Sequence, residues 1–212
     1  MNIKFKSIIR LCFTLLLGFL LIQCAKTKDV LPLEENTTPY YGFVLNEVLY
    51  DPPSGVPGGD ANNDGVREPN DDEFVEFVNS SATTLDISGY KIFDSTMLLA
   101  NTPNHVFPDS SIVAPGQAVV VFGGGNPTGN FGGALVMVAS NHVLNLNNSS
   151  DGMILKDNND SILIIFDVTI LSNNPNESYT KFPDLYGDFI QHNDANPGIF
   201  FSPGTKVDGS SF

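Results

Sequence analysis

For everything after residue 41 the sequence predicts an all-β domain of the sandwich or barrel class. Three observations predict it. The apolar runs are short, rich in Val, Ile, Leu and Phe, and bounded by Gly, Pro, Asn, Asp or Ser. No stretch beyond the N-terminal apolar segment sustains a 3.6-residue repeat. Turn signals recur at the regular intervals expected of many short strands. The residues from 42 to 209, about 170 of them, suffice for one such core, and no second domain is expected.

The chain begins with a different segment. Lys4, Lys6 and Arg10 precede an apolar run from Leu11 to Ile22, which is followed at once by Gln23 and Cys24. The run is too short to span a bilayer comfortably, and its flanks are those of a secretory signal. Leu21-Ile22-Gln23-Cys24 resembles a bacterial lipobox, in which the Cys becomes the lipidated first residue of the mature protein. Residues 1–23 are therefore expected to be a lipoprotein signal peptide and Cys24 the lipidation site; an uncleaved anchor is the alternative. The chain has 2 cysteines, and Cys12 lies inside the signal, so no disulfide framework is expected despite export. Removing residues 1–23 takes away three basic residues and no acid, so the net charge moves from −14 to −17. Such an acidic surface is a poor match for phosphate backbones, and Lys91, Lys156, Lys181 and Lys206 are scattered singly, so nucleic acid is not an expected partner. Residues 24–41, with Pro32, Pro39, Glu34 and Glu35 and no periodicity, read as a linker holding the folded part off a bacterial envelope membrane.

In the folded part, Gly42 to Tyr50 reads as the first strand, stopped by Asp51-Pro52-Pro53, and Glu73 to Asn79 as the second. Gly89 to Phe93, His105 to Phe107, Gln117 to Phe122, Leu135 to Ala139, Val143 to Leu146, Gly152 to Lys156 and Ser161 to Thr169 follow as further strands. Ala114-Pro115-Gly116-Gln117 places Pro and Gly at the two central positions of a type II turn.

The loop between the first two strands carries the most specific chemistry. Asp60, Asn62 and Asp64 alternate along the chain and Gly65 follows, which is the ligand order D-x-[DN]-x-[DN]-G of a calcium loop. In that register Val66 offers its carbonyl, Glu68 takes the water-bridged position and Asp71 closes the loop, with Asp72 or Glu73 as substitutes for the closing ligand. Six carboxylates lie in this segment with only Arg67 to offset them, and a hard divalent cation would remove their mutual repulsion. Calcium is thus the expected cofactor. The competing reading is a solvated acidic turn without an ion, because Asp, Asn and Gly are common turn chemistry.

Asn46-Glu47-Val48-Leu49-Tyr50, Asp72 to Asn79, Leu85-Asp86-Ile87-Ser88-Gly89-Tyr90 and Ala114-Pro115-Gly116 together resemble the lamin tail domain. Ser178 to Asp184 and Ser202-Pro203-Gly204-Thr205 resemble its bacterial members. The resemblance runs from Gly42 to Gly209, with Tyr90 where a Trp is usual. It implies an immunoglobulin-like β-sandwich with a binding or tethering role. Bacterial members also occur joined to nucleases and phosphatases, and no such domain is present in this sequence.

Catalytic patterns are not found in the sequence. His105, His142 and His192 fall in separate regions without metal-motif spacing, and there is no Gly-x-Ser-x-Gly elbow. Glu47 and Glu76, on strands expected to pair, could serve as acid and base. The stronger reading makes them charges on a half-exposed sheet face or groups behind the calcium loop. Gly123-Gly124-Gly125 opens a long loop that lacks the Gly-Lys-Ser/Thr ending of a phosphate loop. The sequence therefore points to a non-enzymatic, lipid-anchored envelope protein that binds or tethers a protein or surface polymer, with no small-molecule substrate. The alternative is an accessory domain that recruits an exported nuclease or phosphatase, or its substrate.

Overall fold

A computed structural model describes residues 42–55, 58–171 and 175–212, which fall within one compact unit. Cys24, the signal peptide over 1–23 and the linker over 24–41 lie outside the described residues. Among the described residues no helix is long and apolar enough to cross a membrane.

The strands are β1 (Phe43–Leu49), β2 (Phe74–Asn79), β3 (Leu85–Asp86), β4 (Lys91–Phe93), β5 (His105–Val106), β6 (Ile112–Val113), β7 (Ala118–Phe122), β8 (Leu135–Val138), β9 (Gly152–Lys156), β10 (Ile162–Asp167), β11 (Tyr179–Phe182) and β12 (Asp188–Gln191). Three short helices interrupt them, α1 (Ser95–Ala100), α2 (Val168–Leu171) and α3 (His192–Ala195). One sheet has six strands in the order β12-β11-β1-β2-β7-β8 and another has four in the order β10-β9-β4-β5. β3 and β6 form a small third ladder. Among the described residues all pairings are antiparallel except β7 with β8.

The two larger sheets face one another across the main core. Phe43, Leu45, Val48, Val75, Phe77, Val119 and Val121 of the six-stranded sheet meet Ile92, Met153, Leu155, Leu163 and Phe166 of the four-stranded one. This is the β-sandwich expected from the strand pattern. The outer face of the six-stranded sheet is also covered: Leu49, Phe74, Val120 and Phe122 pack with Phe131 and with half-buried Phe201. Burial on both faces explains why Ala118-Val119-Val120-Val121-Phe122 is apolar throughout rather than alternating.

The turn at Ala114–Gln117 forms as expected, with Gln117 N–H donating to the Ala114 carbonyl at 3.0 Å. Gly116 takes the positive φ of +76° that the second central position of a type II turn requires. Two strand expectations need correction. Val143 to Leu146 is not a strand; Leu144 and Leu146 are buried, but the Leu146 N–H donates to the Glu73 carboxyl at 3.2 Å instead of to a neighbouring strand. The strand expected over Ser161 to Thr169 ends at Asp167, whose side chain accepts the Thr169 N–H at 2.8 Å and turns the chain into α2. Between β4 and β5, Asp94 caps α1 by accepting the Met97 N–H at 2.6 Å, and Asn101 ends the helix in the left-handed conformation.

Phe77 is fully buried and stacks on Phe43 with ring centroids 5.1 Å apart. Phe77→Ala is expected to lower unfolding free energy by about 3–5 kcal/mol in urea denaturation. A loss under about 1 kcal/mol would mean that this ring does not sit between the sheets.

Candidate functional site

Two polar clusters flank β2. The first is the acidic loop that leads into it. Asp60 accepts the Asp64 and Gly65 N–H groups at 3.1 and 3.0 Å, and Asn62 Oδ1 accepts the Asp64 N–H at 3.0 Å. Asp64 accepts the Val66 N–H at 2.9 Å with one oxygen and the Asn126 N–H at 3.0 Å with the other. The loop is thus wound around its own side-chain oxygens, as short Asx-type turns are. Burial, then the neighbouring Glu68 and Asp64 carboxylates, push the Asp71 carboxyl above its ordinary value.

The glycine-rich loop after β7 closes on this cluster. Gly124 N–H donates to the Asp71 carbonyl at 3.2 Å and Thr128 N–H to the Asn62 carbonyl at 2.9 Å. A Cβ on Gly124 would overlap the Asp71 carboxylate, and one on Gly125 would overlap the Asn62 amide and lie 2.6 Å from Asp64 Oδ2. Glycine is therefore required for this approach. The Gly123 to Gly133 segment is a docked cover on the acidic loop, anchored at its far end by Phe131, which packs with Phe122 on the outer face of the sheet.

The structure brings Asp60, Asn62, Asp64, Glu68 and Asp71 into one loop, with Asp60 and Asn62 buried and Val66 and Glu68 exposed. The two substitutes for the closing ligand turn to different partners. Asp72 accepts the Asn62 and Glu68 N–H groups at 3.2 and 2.8 Å and so staples the two ends of the loop. Glu73 reaches away to the Leu146 N–H. Among the described residues no group of three or more His, Cys, Asp or Glu is gathered in a metal-holding arrangement.

The second cluster was only half visible in sequence. Glu47 and Glu76 pair directly across β1 and β2, as expected, next to a bulge between Leu45 and Glu47. They are not on a half-exposed face: both are 0% exposed, because the chain after α3 folds over them. Glu47 accepts Ser178 Oγ at 2.6 Å, the Ser202 N–H at 2.9 Å and Ser202 Oγ at 2.8 Å. Glu76 accepts the Asn46 amide at 3.0 Å and the Gly204 N–H at 2.6 Å. His192 Nε2 lies 2.9 Å from Ser202 Oγ, and its Nδ1 faces the Ile199 carbonyl at 3.1 Å.

This order of groups is not that of a nucleophilic triad. Ser202 sits between the carboxylate and the imidazole, whereas a nucleophilic triad has the imidazole between the hydroxyl and the acid. The remaining histidines are structural or solvated. His105 is buried edge-on against Phe107 at 4.6 Å, and burial pushes its pKa down to about 4, so it is neutral. His142 is exposed.

Burial raises the Glu47 carboxyl, opposed by His192 and by its hydrogen-bond donors. Burial, then the Glu47 charge, raises Glu76 well above the ordinary carboxylate value of 4.5. The native state therefore holds protons that the unfolded chain has lost above that value. Stability from Glu76 is fully present below pH 4.5 and is lost as pH rises towards the folded pKa. In that window the wild type should lose up to about 1.4 kcal/mol per pH unit from this group. Glu76→Gln, which keeps the neutral shape, should flatten the fall in melting temperature between pH 5 and pH 8. Parallel wild-type and variant curves over that range would show that Glu76 is ionised in the native state.

No curated protein matches this sequence. The Lamin Tail Domain family matches it over residues 37–169, more than half of the chain, and this span contains β1 to β10, the acidic loop and the glycine-rich cover. Ser178, His192, Ser202 and Gly204, which complete the buried cluster, lie beyond the match. With its all-β sandwich of immunoglobulin-like type, the chain belongs to the lamin tail domain family, a non-catalytic class of β domain.

Proposed function

We propose that this protein is a lipid-anchored, calcium-stabilised binding module of a bacterial cell envelope that tethers a protein or surface polymer and performs no catalysis. Membership of a non-catalytic β-domain family supports the binding role. The close approach of Gly124 to the Asp71 carboxylate and of Gly125 to Asn62 and Asp64, which puts three residues of the ligand pattern under one glycine cover, is the observation that carries the calcium part. An ionised carboxylate offers about four lone-pair sites, so oxygens that already accept one loop N–H keep capacity for an ion. The anchor rests on the Leu21-Ile22-Gln23-Cys24 pattern. The acidic balance of the chain disfavours nucleic acid as the partner.

At free calcium near a hundred times its dissociation constant, unfolding free energy should rise by about 2.7 kcal/mol. Asp64→Ala should abolish most of that gain, and Asp208→Ala, near the C-terminus, should not. A melting temperature indifferent to both calcium and chelator would leave the loop as an acidic turn held by its own amides. For the anchor, Cys24→Ser is expected to shift the protein out of the membrane fraction or block its processing. An unmodified Cys24 in the mass spectrum of the mature wild type would overturn it.

A further inference from the structure

A cleft of about 490 Å³ opens where the chain leaves β1, enters β2, begins α1 and approaches β9. None of the sequence motifs pointed to it, and Glu47 and Glu76 do not line it. Its volume lies in the range of small-molecule sites. We propose that this cleft binds a neutral, polyhydroxylated ligand, a saccharide unit, free or at the surface of a polymer. The proposal rests on the binding-module reading and is independent of calcium and of the lipid anchor.

The lining chemistry selects this class. Burial pushes the Glu73 pKa up to about 8 and so leaves it largely neutral, but Asp51 and Asp151 still outnumber the one cationic side chain, Arg67, so an anion is repelled. Arg67 is itself engaged, donating from Nε to the Pro53 carbonyl at 2.9 Å and from Nη2 to the Pro52 carbonyl at 2.6 Å. An apolar ligand would find few apolar side chains, chiefly Pro52, Pro69 and Leu146. The acids are held by the protein's own donors. Asp151 accepts the Ser95, Gly152 and Asn147 N–H groups at 2.9, 2.7 and 3.0 Å. Asp51 accepts the Asn148 amide at 2.7 Å and the Asn176 N–H at 3.0 Å. These bonds fix the walls before any ligand arrives, which lowers the ordering cost of binding.

What remains for a ligand is neutral. The Asn70 amide and the Thr96 and Ser150 hydroxyls line the cleft, and none of the three side chains has a hydrogen-bond partner among the described residues. Amides and hydroxyls both donate and accept, as sugar hydroxyls do, so each can pair with a hydroxyl in either sense. The engaged carboxylates keep lone pairs that accept hydroxyl protons without giving up their backbone donors.

The test uses the full chain in detergent with cellobiose, maltose and N,N′-diacetylchitobiose as free probes, followed by calorimetry. Insoluble cellulose, starch and chitin serve in a retention assay. At least one probe should bind with a dissociation constant of about 10 mM or tighter, in buffer with or without chelator. Ser150→Trp, at an exposed position facing the cleft, should weaken that binding roughly tenfold or more without changing the melting temperature. Tyr186→Ser, at a residue 83% exposed and outside the cleft lining, should leave it unchanged. Binding of a free disaccharide assigns a soluble ligand, and retention on polymer alone assigns a surface glycan; either supports the proposal. It is overturned if no probe binds, if Ser150→Trp binds as well as the wild type, or if the cleft answers only to calcium or to a polyamine such as spermidine.

Discussion

Two carboxylates face each other across β1 and β2 with no exposed surface, and the outer half of the molecule is built to tolerate them. An ion taken out of water costs several kcal/mol unless its lone pairs are met. Asn46 meets one from within β1; among the described residues every other donor to Glu47 and Glu76 comes from Ser178, Ser202 and Gly204, late in the chain. The cluster therefore fixes the C-terminal segment on the sheet. Gly204 also packs backbone against backbone on Phe131, at the end of the glycine-rich cover, where a Cβ would overlap the Phe131 carbonyl. Phe131 in turn tilts on Phe122 with centroids 5.4 Å apart. A buried acid pair in the middle of a sheet is thus linked by direct contact to the loop that closes over Asp64 and Asp71.

Glu47 is stabilised by three donors and by His192 through Ser202, and burial and the Glu47 charge drive Glu76 towards its neutral form. Two like charges facing each other across paired strands are avoided by holding a proton, a consequence of crowding carboxylates. Sealing by the C-terminal segment removes the substrate access that an acid–base pair would need.

The sandwich was legible because its strands carry their own punctuation. Gly, Pro, Asn and Asp bound β1, β2, β7 and β9, and the structure moves no end of these strands by more than one residue. β11 and β12 were less legible: Tyr179–Phe182 and Asp188–Gln191 mix polar and apolar residues, as strands towards one edge of a sheet do. Val143 to Leu146 misled for the opposite reason. Its alternating burial is that of an extended loop, and the Asn145 and Leu146 N–H groups go to the Glu73 carboxyl instead of a ladder. Composition could not reveal that Glu47 and Glu76 are covered, since the cover is some 125 residues or more away in sequence. Nor could it reveal the cleft, whose walls come from four separate segments.

The acids at the entrance to β2 show how much depends on one register. Asp72 and Glu73 are consecutive, and side chains at the start of a strand alternate between faces. Asp72 consequently turns to the acidic loop and staples Asn62 to Glu68, while Glu73 turns to the cleft and holds Leu146. Sliding β2 by one residue against β1 would exchange these two acids. It would also move Val75 and Phe77 off the core and bring Glu76 into it. The apolar alternation of β2 and the pairing of Glu76 with Glu47 therefore select the same register. That register sets the geometry of the loop on one side and of the cleft on the other. Neither polar site needs its own scaffold, because the hydrophobic pattern of a single strand positions both.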